Sequence, residues 1–217
     1  MKIKGIIFDL DGTLIDSMWY WDKLGEEFLA ERGKTPLPDF REKYYVYSTF
    51  ATAQMIINDY GLKDETADSV IESMLKMAEK FYNTRVETKP HVREMLERFR
   101  AAGIKMAVAT ATERGLVDTA IKRCDIGGYF ETIVTCTDVN ASKTKPDVYL
   151  KALESLDCNV EETAVFEDAI QAAKTAKTAG FYTVGVYDGT AAEYESQMRS
   201  ICDEYITDFA QLSDVFK

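Results

Sequence analysis

Short apolar runs alternate with amphipathic stretches along most of this chain, and the alternation predicts strands and helices in turn. Ile3–Phe8, Lys105–Ala109, Thr132–Cys136, Thr163–Phe166, Thr183–Tyr187 and Glu204–Thr207 read as strands. Several are near-continuous in Val, Ile, Ala and Phe, as expected of parallel strands covered on both faces. Between them, Val92, Met95, Leu96 and Phe99 fall at helical spacing, with Gly103 placed to close that helix. Leu116, Val117, Ala120, Ile121 and Cys124 repeat the spacing behind Thr112, a candidate N-cap. Ala169–Ala179 reads as a helix of small residues stopped by Gly180. The alternation predicts an α/β fold, a doubly wound parallel sheet with right-handed crossovers.

One stretch breaks the alternation. From Ser17 to Thr88 the apolar positions follow a helical period only, with stripes at Met18, Trp21, Leu24 and Phe28 and at Val70, Met74, Leu75, Ala78 and Tyr82. Gly33–Pro38 and Gly61 divide it into three or four helices. About 70 helical residues between the first two strands are too many for a simple crossover. The expected organisation is an α/β core of residues 1–16 and 89–217 with an inserted all-helical domain of residues 17–88.

Composition narrows the class. A hydrophobic share of 46% and a charged share of 29% suit an ordinary globular protein. The net charge of −11, with no basic run longer than a dipeptide, argues against nucleic acid as a partner. An anionic ligand would need local positive charge from a metal or a placed lysine. Cys124, Cys136, Cys158 and Cys202 are widely spaced and form no CxxC pair, which suggests reduced thiols and a cytoplasmic setting. The sequence opens directly on a short charged strand without a signal-peptide pattern, and no apolar run is long enough to cross a membrane.

Candidate chemistry collects at predicted strand ends, where open parallel sheets bind ligands. The first strand runs into Asp9-Leu10-Asp11-Gly12-Thr13. Alternation along a strand puts Asp9 and Asp11 on one side, and buried carboxylates must be paired, hydrogen-bonded or metal-bound. Gly12 permits a sharp exit from the strand. The second strand ends at Ala109-Thr110-Ala111-Thr112, where a hydroxyl and free backbone N–H groups precede a helix. Ser142-Lys143-Thr144-Lys145-Pro146-Asp147 follows the third, and a lysine there could enter an acidic site. Asp147 and Tyr149 read as the start of the next helix. Glu167-Asp168 closes the fourth strand, and carboxylates there with Asp9 would suit Mg2+.

In their order and spacing these motifs resemble those of the haloacid dehalogenase-like (HAD) hydrolase superfamily over essentially the whole chain. Asp9–Thr13 resembles its first motif, Thr110 its second, the Lys143 region its third and Glu167-Asp168 its fourth. The helical insertion resembles the cap of the phosphoglycolate phosphatase-like and β-phosphoglucomutase-like subclass. The resemblance implies a Rossmann-like core and a Mg2+-dependent phosphatase working through an aspartyl-phosphate. Asp9 would be the nucleophile and Asp11 the acid and base. Asp9, Asp11 (through its backbone carbonyl), Glu167 and Asp168 would form the metal site. Thr13, Thr110, Ala111 and Lys143 would contact the phosphoryl group. Family members often read Gly-Lys-Pro-x-Pro-Asp in the third motif. Here, alignment on Pro146-Asp147 puts Lys143 in the slot, with Lys145 as its rival.

The expected partner is a small phosphorylated metabolite, handled by a monomer or weak homodimer without nucleic acid or membrane. The rival activity is a sugar phosphomutase of the β-phosphoglucomutase type. It is disfavoured because no His precedes His91 and the cap arginines do not follow the mutase pattern. Trp19, Tyr20 and Trp21 are consecutive and cannot all face one core. Trp19 or Tyr20, with Tyr44 or Tyr47, is therefore expected to line a cleft for a ring-bearing or sugar leaving group, while Trp21 is expected in the core.

Overall fold

The computed structural model describes residues 3–37, 40, 43, 49–212 and 216. Six strands form one parallel sheet: β1 (Gly5–Phe8), β2 (Lys105–Thr110), β3 (Thr132–Thr135), β4 (Thr163–Glu167), β5 (Tyr182–Val186) and β6 (Glu204–Ile206). Their order is β3-β2-β1-β4-β5-β6, and every pairing is parallel. The chain steps outward one way from β1 to β3, then returns to the other side of β1 and continues to β6. That reversal makes the carboxyl ends of β1 and β4 the topological switch point, where a doubly wound sheet opens a crevice.

Burial explains why these runs form central strands. Ile6, Ile7 and Phe8 are fully buried, and Phe8 sits in register with Val108 of β2 and Phe166 of β4. Side chains alternate between the two faces. Phe8 meets Phe166 at 4.9 Å and Phe99 at 6.5 Å between ring centroids, on the face covered by α4 (Val92–Ala101). Ile7, Ala107 and Val165 pack on the opposite face against Val148, Tyr149 and Ala152 of α6 (Asp147–Leu153) and Ala176 of α7 (Ile170–Thr178). The other core helices are α5 (Arg114–Cys124) and α8 (Glu195–Ile201).

Several element ends differ from the sequence expectation. β2 and β4 each run one residue further, taking in Thr110 and Glu167, because these polar residues still find ladder partners in Thr135 and Gly185. The N-cap of α5 is Glu113, not Thr112, whose hydroxyl is engaged elsewhere.

The residues divide into two compact units, Met1–Met18 with Val86–Lys217, and Trp19–Arg85. In the second unit the described helices are α1 (Met18–Glu31), α2 (Thr49–Tyr60) and α3 (Ala67–Thr84). Phe28, Leu29, Phe40, Ala53, Ile56 and Val70 form its core. Thr66 and Ser69 cap α3 reciprocally, each side chain accepting from the other's backbone N–H. In the first unit, the segments that lead into and out of the insertion run side by side: Asp16 donates its N–H to Glu87 (3.0 Å) and Lys89 to Leu14 (2.9 Å). Lys89 Nζ also donates to the Tyr187 carbonyl (2.7 Å) and pairs with buried Asp188 (2.9 Å).

Candidate active site

The site grows from the switch point. The Asp9 N–H donates to the Phe166 carbonyl (2.9 Å), extending the β1–β4 ladder by one residue and fixing Asp9 beside the end of β4. The chain then turns tightly, with Leu14 and Ile15 N–H groups both returning to the Leu10 carbonyl. Gly12 makes that turn at φ +81°, where a Cβ would strike the Asp168 carboxylate and sit 2.7 Å from Met18 Cγ. Glycine is therefore required twice over, by backbone conformation and by space.

At the strand ends, Asp9, Glu167 and Asp168 are all buried, and one carboxylate oxygen from each lies within 4.8 Å of the others. Lys143 Nζ enters the cluster, pairing with Asp9 and with Glu167 Oε1 (2.6 Å). Lys145 is exposed. Tyr149 Oη also donates to Glu167 Oε1 (2.7 Å), whereas Glu167 Oε2 is buried and, among the described residues, has no hydrogen-bond partner. One ammonium cannot neutralise three carboxylates, so the cluster is short of positive charge.

The electrostatics follow from that imbalance. Burial pushes Glu167 up to about 7, reinforced by Asp9 and opposed by Lys143. Burial likewise holds Asp168 well above the usual carboxylate range, with Asp9 and Glu167 adding to the effect and Lys143 and Lys89 opposing it. For Lys143, burial acts to lower the pKa, but Asp9 and Glu167 outweigh it and keep the ammonium above the ordinary lysine value.

Asp11 stands apart from this cluster. Its Oδ1 accepts from Ser17 Oγ and its Oδ2 from Thr112 Oγ1, both at 2.6 Å. Its side chain therefore stays with these two hydroxyls and outside the grouping of Asp9, Glu167 and Asp168. Thr110 is buried, and its hydroxyl accepts the Thr112 N–H (3.1 Å); Ala111 beside it is exposed. Thr13, expected among the phosphoryl contacts, is fully buried and donates to Asp168 Oδ1 (3.4 Å). It orients that carboxylate and offers no surface to a ligand.

Of the expected cleft residues, Tyr20 belongs to the packing of the helical unit. It is 3% exposed, stacks on Phe81 at 4.0 Å, and donates its hydroxyl to the Met77 carbonyl (3.2 Å). Trp21 is half-buried, with Nε1 donating to Tyr82 Oη (3.0 Å). Trp19 is half-buried, edge-on to Phe81, with the Arg85 guanidinium 5.3 Å from its ring centre. Tyr44 and Tyr47 lie outside the described residues.

Sequence reasoning missed three groups that touch the site. Thr112 looked like a cap because a hydroxyl before a helix usually is one. Ser17 looked only like the edge of the insertion. Tyr149 looked like the opening of a helix, although a tyrosine between Val148 and Ala152 on an apolar face must find a partner for its hydroxyl.

Comparison with known proteins agrees with this geometry. The family model for haloacid dehalogenase-like hydrolases matches residues 6–186. The phosphorylated carbohydrates phosphatase of Thermotoga maritima is 26% identical over 82% of this chain and 82% of its own. The pyrophosphatase PpaX of Bacillus velezensis is 27% identical over 84% of this chain and 82% of its own. The crystal structure of CbbY from Rhodobacter sphaeroides in complex with phosphate shares the fold, with a TM-score of 0.76, 20% identity, and coverage of 97% and 96% of the two chains. With its motifs gathered at one sheet switch point and the family model spanning most of its length, this chain belongs to the haloacid dehalogenase-like hydrolases.

Proposed function

We propose that the protein is a Mg2+-dependent phosphatase that moves the phosphoryl group of a small phosphomonoester to Asp9 and then to water. The observation that carries this reading is the buried grouping of Asp9, Glu167 and Asp168 around the Lys143 ammonium. These residues suit a hard divalent cation. The donors are all oxygen, the charge is unbalanced, and Glu167 Oε2 is a buried acceptor without a donor. Asp9, Glu167 and Asp168 would hold Mg2+, which when bound offsets the repulsion between carboxylate and phosphate.

The protein's own groups have separable tasks. An Asp9 oxygen attacks phosphorus as the bond to the leaving oxygen breaks, and Asp11 gives that oxygen a proton. Asp11 then takes a proton from water, whose oxygen attacks phosphorus and releases phosphate from Asp9. Lys143 and the Thr110 region stabilise charge spreading over the phosphoryl oxygens. Ser17 and Thr112 suit Asp11 to both tasks. Their hydroxyls donate to the ionised carboxylate, and either can turn to accept from the protonated one. The net charge of −11 argues against nucleic acid as the substrate.

Phosphate release is to be measured over sugar phosphates, nucleotides, pyrophosphate and phosphoglycolate, with Mg2+, with EDTA and with Asp9→Asn. Release that requires both the metal and Asp9 is expected. Metal-independent release would overturn the cofactor assignment, and undiminished release by Asp9→Asn would overturn the nucleophile. No release with any compound, together with isomerisation of glucose 1-phosphate, would replace the phosphatase by a mutase.

A further inference from the structure

We infer that Tyr149 is a positioning residue of this site, acting through Glu167 on both Lys143 and the metal; the inference rests on the proposed phosphatase reading. Tyr149 comes from α6, outside the strand-end motifs. It is fully buried, and its ring packs edge-on to Phe181 with centroids 6.2 Å apart. The ring is thereby fixed on the underside of the cluster, and the hydroxyl points at Glu167.

Glu167 Oε1 accepts from two donors, Tyr149 Oη at 2.7 Å and Lys143 Nζ at 2.6 Å. Those two bonds define the orientation of the carboxylate. They commit Oε1 to the protein and leave Oε2 without a partner. Lys143 is shared between Glu167 and Asp9, so any gain in its attraction to Glu167 is a loss at Asp9. A second donor on Oε1 satisfies part of the Glu167 charge and leaves more of the ammonium's field for Asp9 and an incoming phosphoryl group. The ammonium also lies 5.8 Å from the centre of the Tyr149 ring, so the ring itself bounds where Lys143 can sit.

Without this hydroxyl, Glu167 is free to rotate and draws Lys143 toward itself. Both changes damage the site while leaving the hydrophobic packing of the ring unaltered. Phenylalanine removes only the oxygen, so Tyr149→Phe isolates the effect.

The test combines kinetics with direct binding. For Tyr149→Phe we expect kcat to fall about 10- to 100-fold with KM within about twofold, and the Mg2+ dissociation constant from calorimetry on the protein alone to rise about tenfold. In a Glu167→Gln background, Tyr149→Phe is expected to add little further loss, because the residue it acts through has gone. A purely structural tyrosine would lower the thermal midpoint while kcat per folded molecule and Mg2+ affinity stay at wild-type values, and that result would overturn the inference. So would a full, independent loss on top of Glu167→Gln. If the wild-type protein released no phosphate, the catalytic reading would fail first. Mg2+ calorimetry on the four proteins would still decide the coupling between Tyr149 and Glu167.

Discussion

Lys143 shows how much one side chain sets here. It is nearly buried, bridges two carboxylates from different strands, and is the cation that would meet the substrate's phosphoryl oxygens. Lys143→Ala should therefore lower kcat/KM by about 10²–10³-fold, as removal of a transition-state donor does. It also strands two buried carboxylates, costing stability on the order of 3–5 kcal/mol in the absence of metal. Lys145→Ala, at an exposed position, should stay within about twofold on both counts. Steady-state kinetics and urea titration of the two variants check the contrast, and equal effects would refute it. The sequence held both lysines in the motif, but only packing decides between them, since a spacing of two residues leaves either able to reach the strand ends. Thr112 and Tyr149 were illegible for a related reason: which group a hydroxyl meets depends on chain segments 101 and 18 residues away.

At the scale of elements, the strands and the turn between them position the chemistry. Apolar runs made the sheet legible, because buried parallel strands leave a near-continuous hydrophobic signature. Their last residues were not legible. Thr110 and Glu167 look like loop residues by polarity, yet lie within the sheet because neighbouring strands bond them. The helical insertion was legible from its unbroken helical period, whereas Tyr20 was misplaced because three consecutive aromatics do not reveal which one faces the core. It is Tyr20 that stacks on Phe81. The turn after β1 gives the sharpest prediction at this scale. Gly12→Ala must adopt φ near +81° and press a methyl on the Asp168 carboxylate. It should destabilise the protein by about 2 kcal/mol or more and abolish Mg2+-dependent turnover. A variant with a wild-type melting midpoint and activity would show that the turn does not constrain Asp168.

Across the whole molecule, the acidic site sets a pH dependence opposite in sign to that of its ordinary ion pairs. Burial raises Glu167 to about 7 and lifts Asp168 as well, so in the metal-free protein both bind protons more tightly than in the unfolded chain. Their contribution is destabilising when ionised, and stability is gained as pH falls from above 7 toward about 4. For Asp188, burial raises the pKa, but Lys89 and Thr190 outweigh it and hold the carboxyl low, so its contribution persists above about pH 4 and is lost below. In EDTA the melting midpoint should thus be higher near about pH 5.5 than near about pH 8, and Mg2+ should raise it more at about pH 8, where it need not displace protons. A midpoint in EDTA that climbs with pH, with no response to Mg2+, would contradict this picture of the site.

On the proposed reading, Asp9 carries the phosphoryl group between substrate and water. The most direct test is a rapid quench of enzyme turning over a hydrolysed substrate with Mg2+, followed by borohydride reduction and peptide mass spectrometry. An acyl phosphate at Asp9 is reduced to homoserine, so the predicted result is that mass change at position 9, appearing with turnover and absent from Asp9→Asn. Phosphate released at full rate with position 9 unmodified at every quench time, or with the reduced residue elsewhere in the chain, would rule out Asp9 as the phosphoryl carrier.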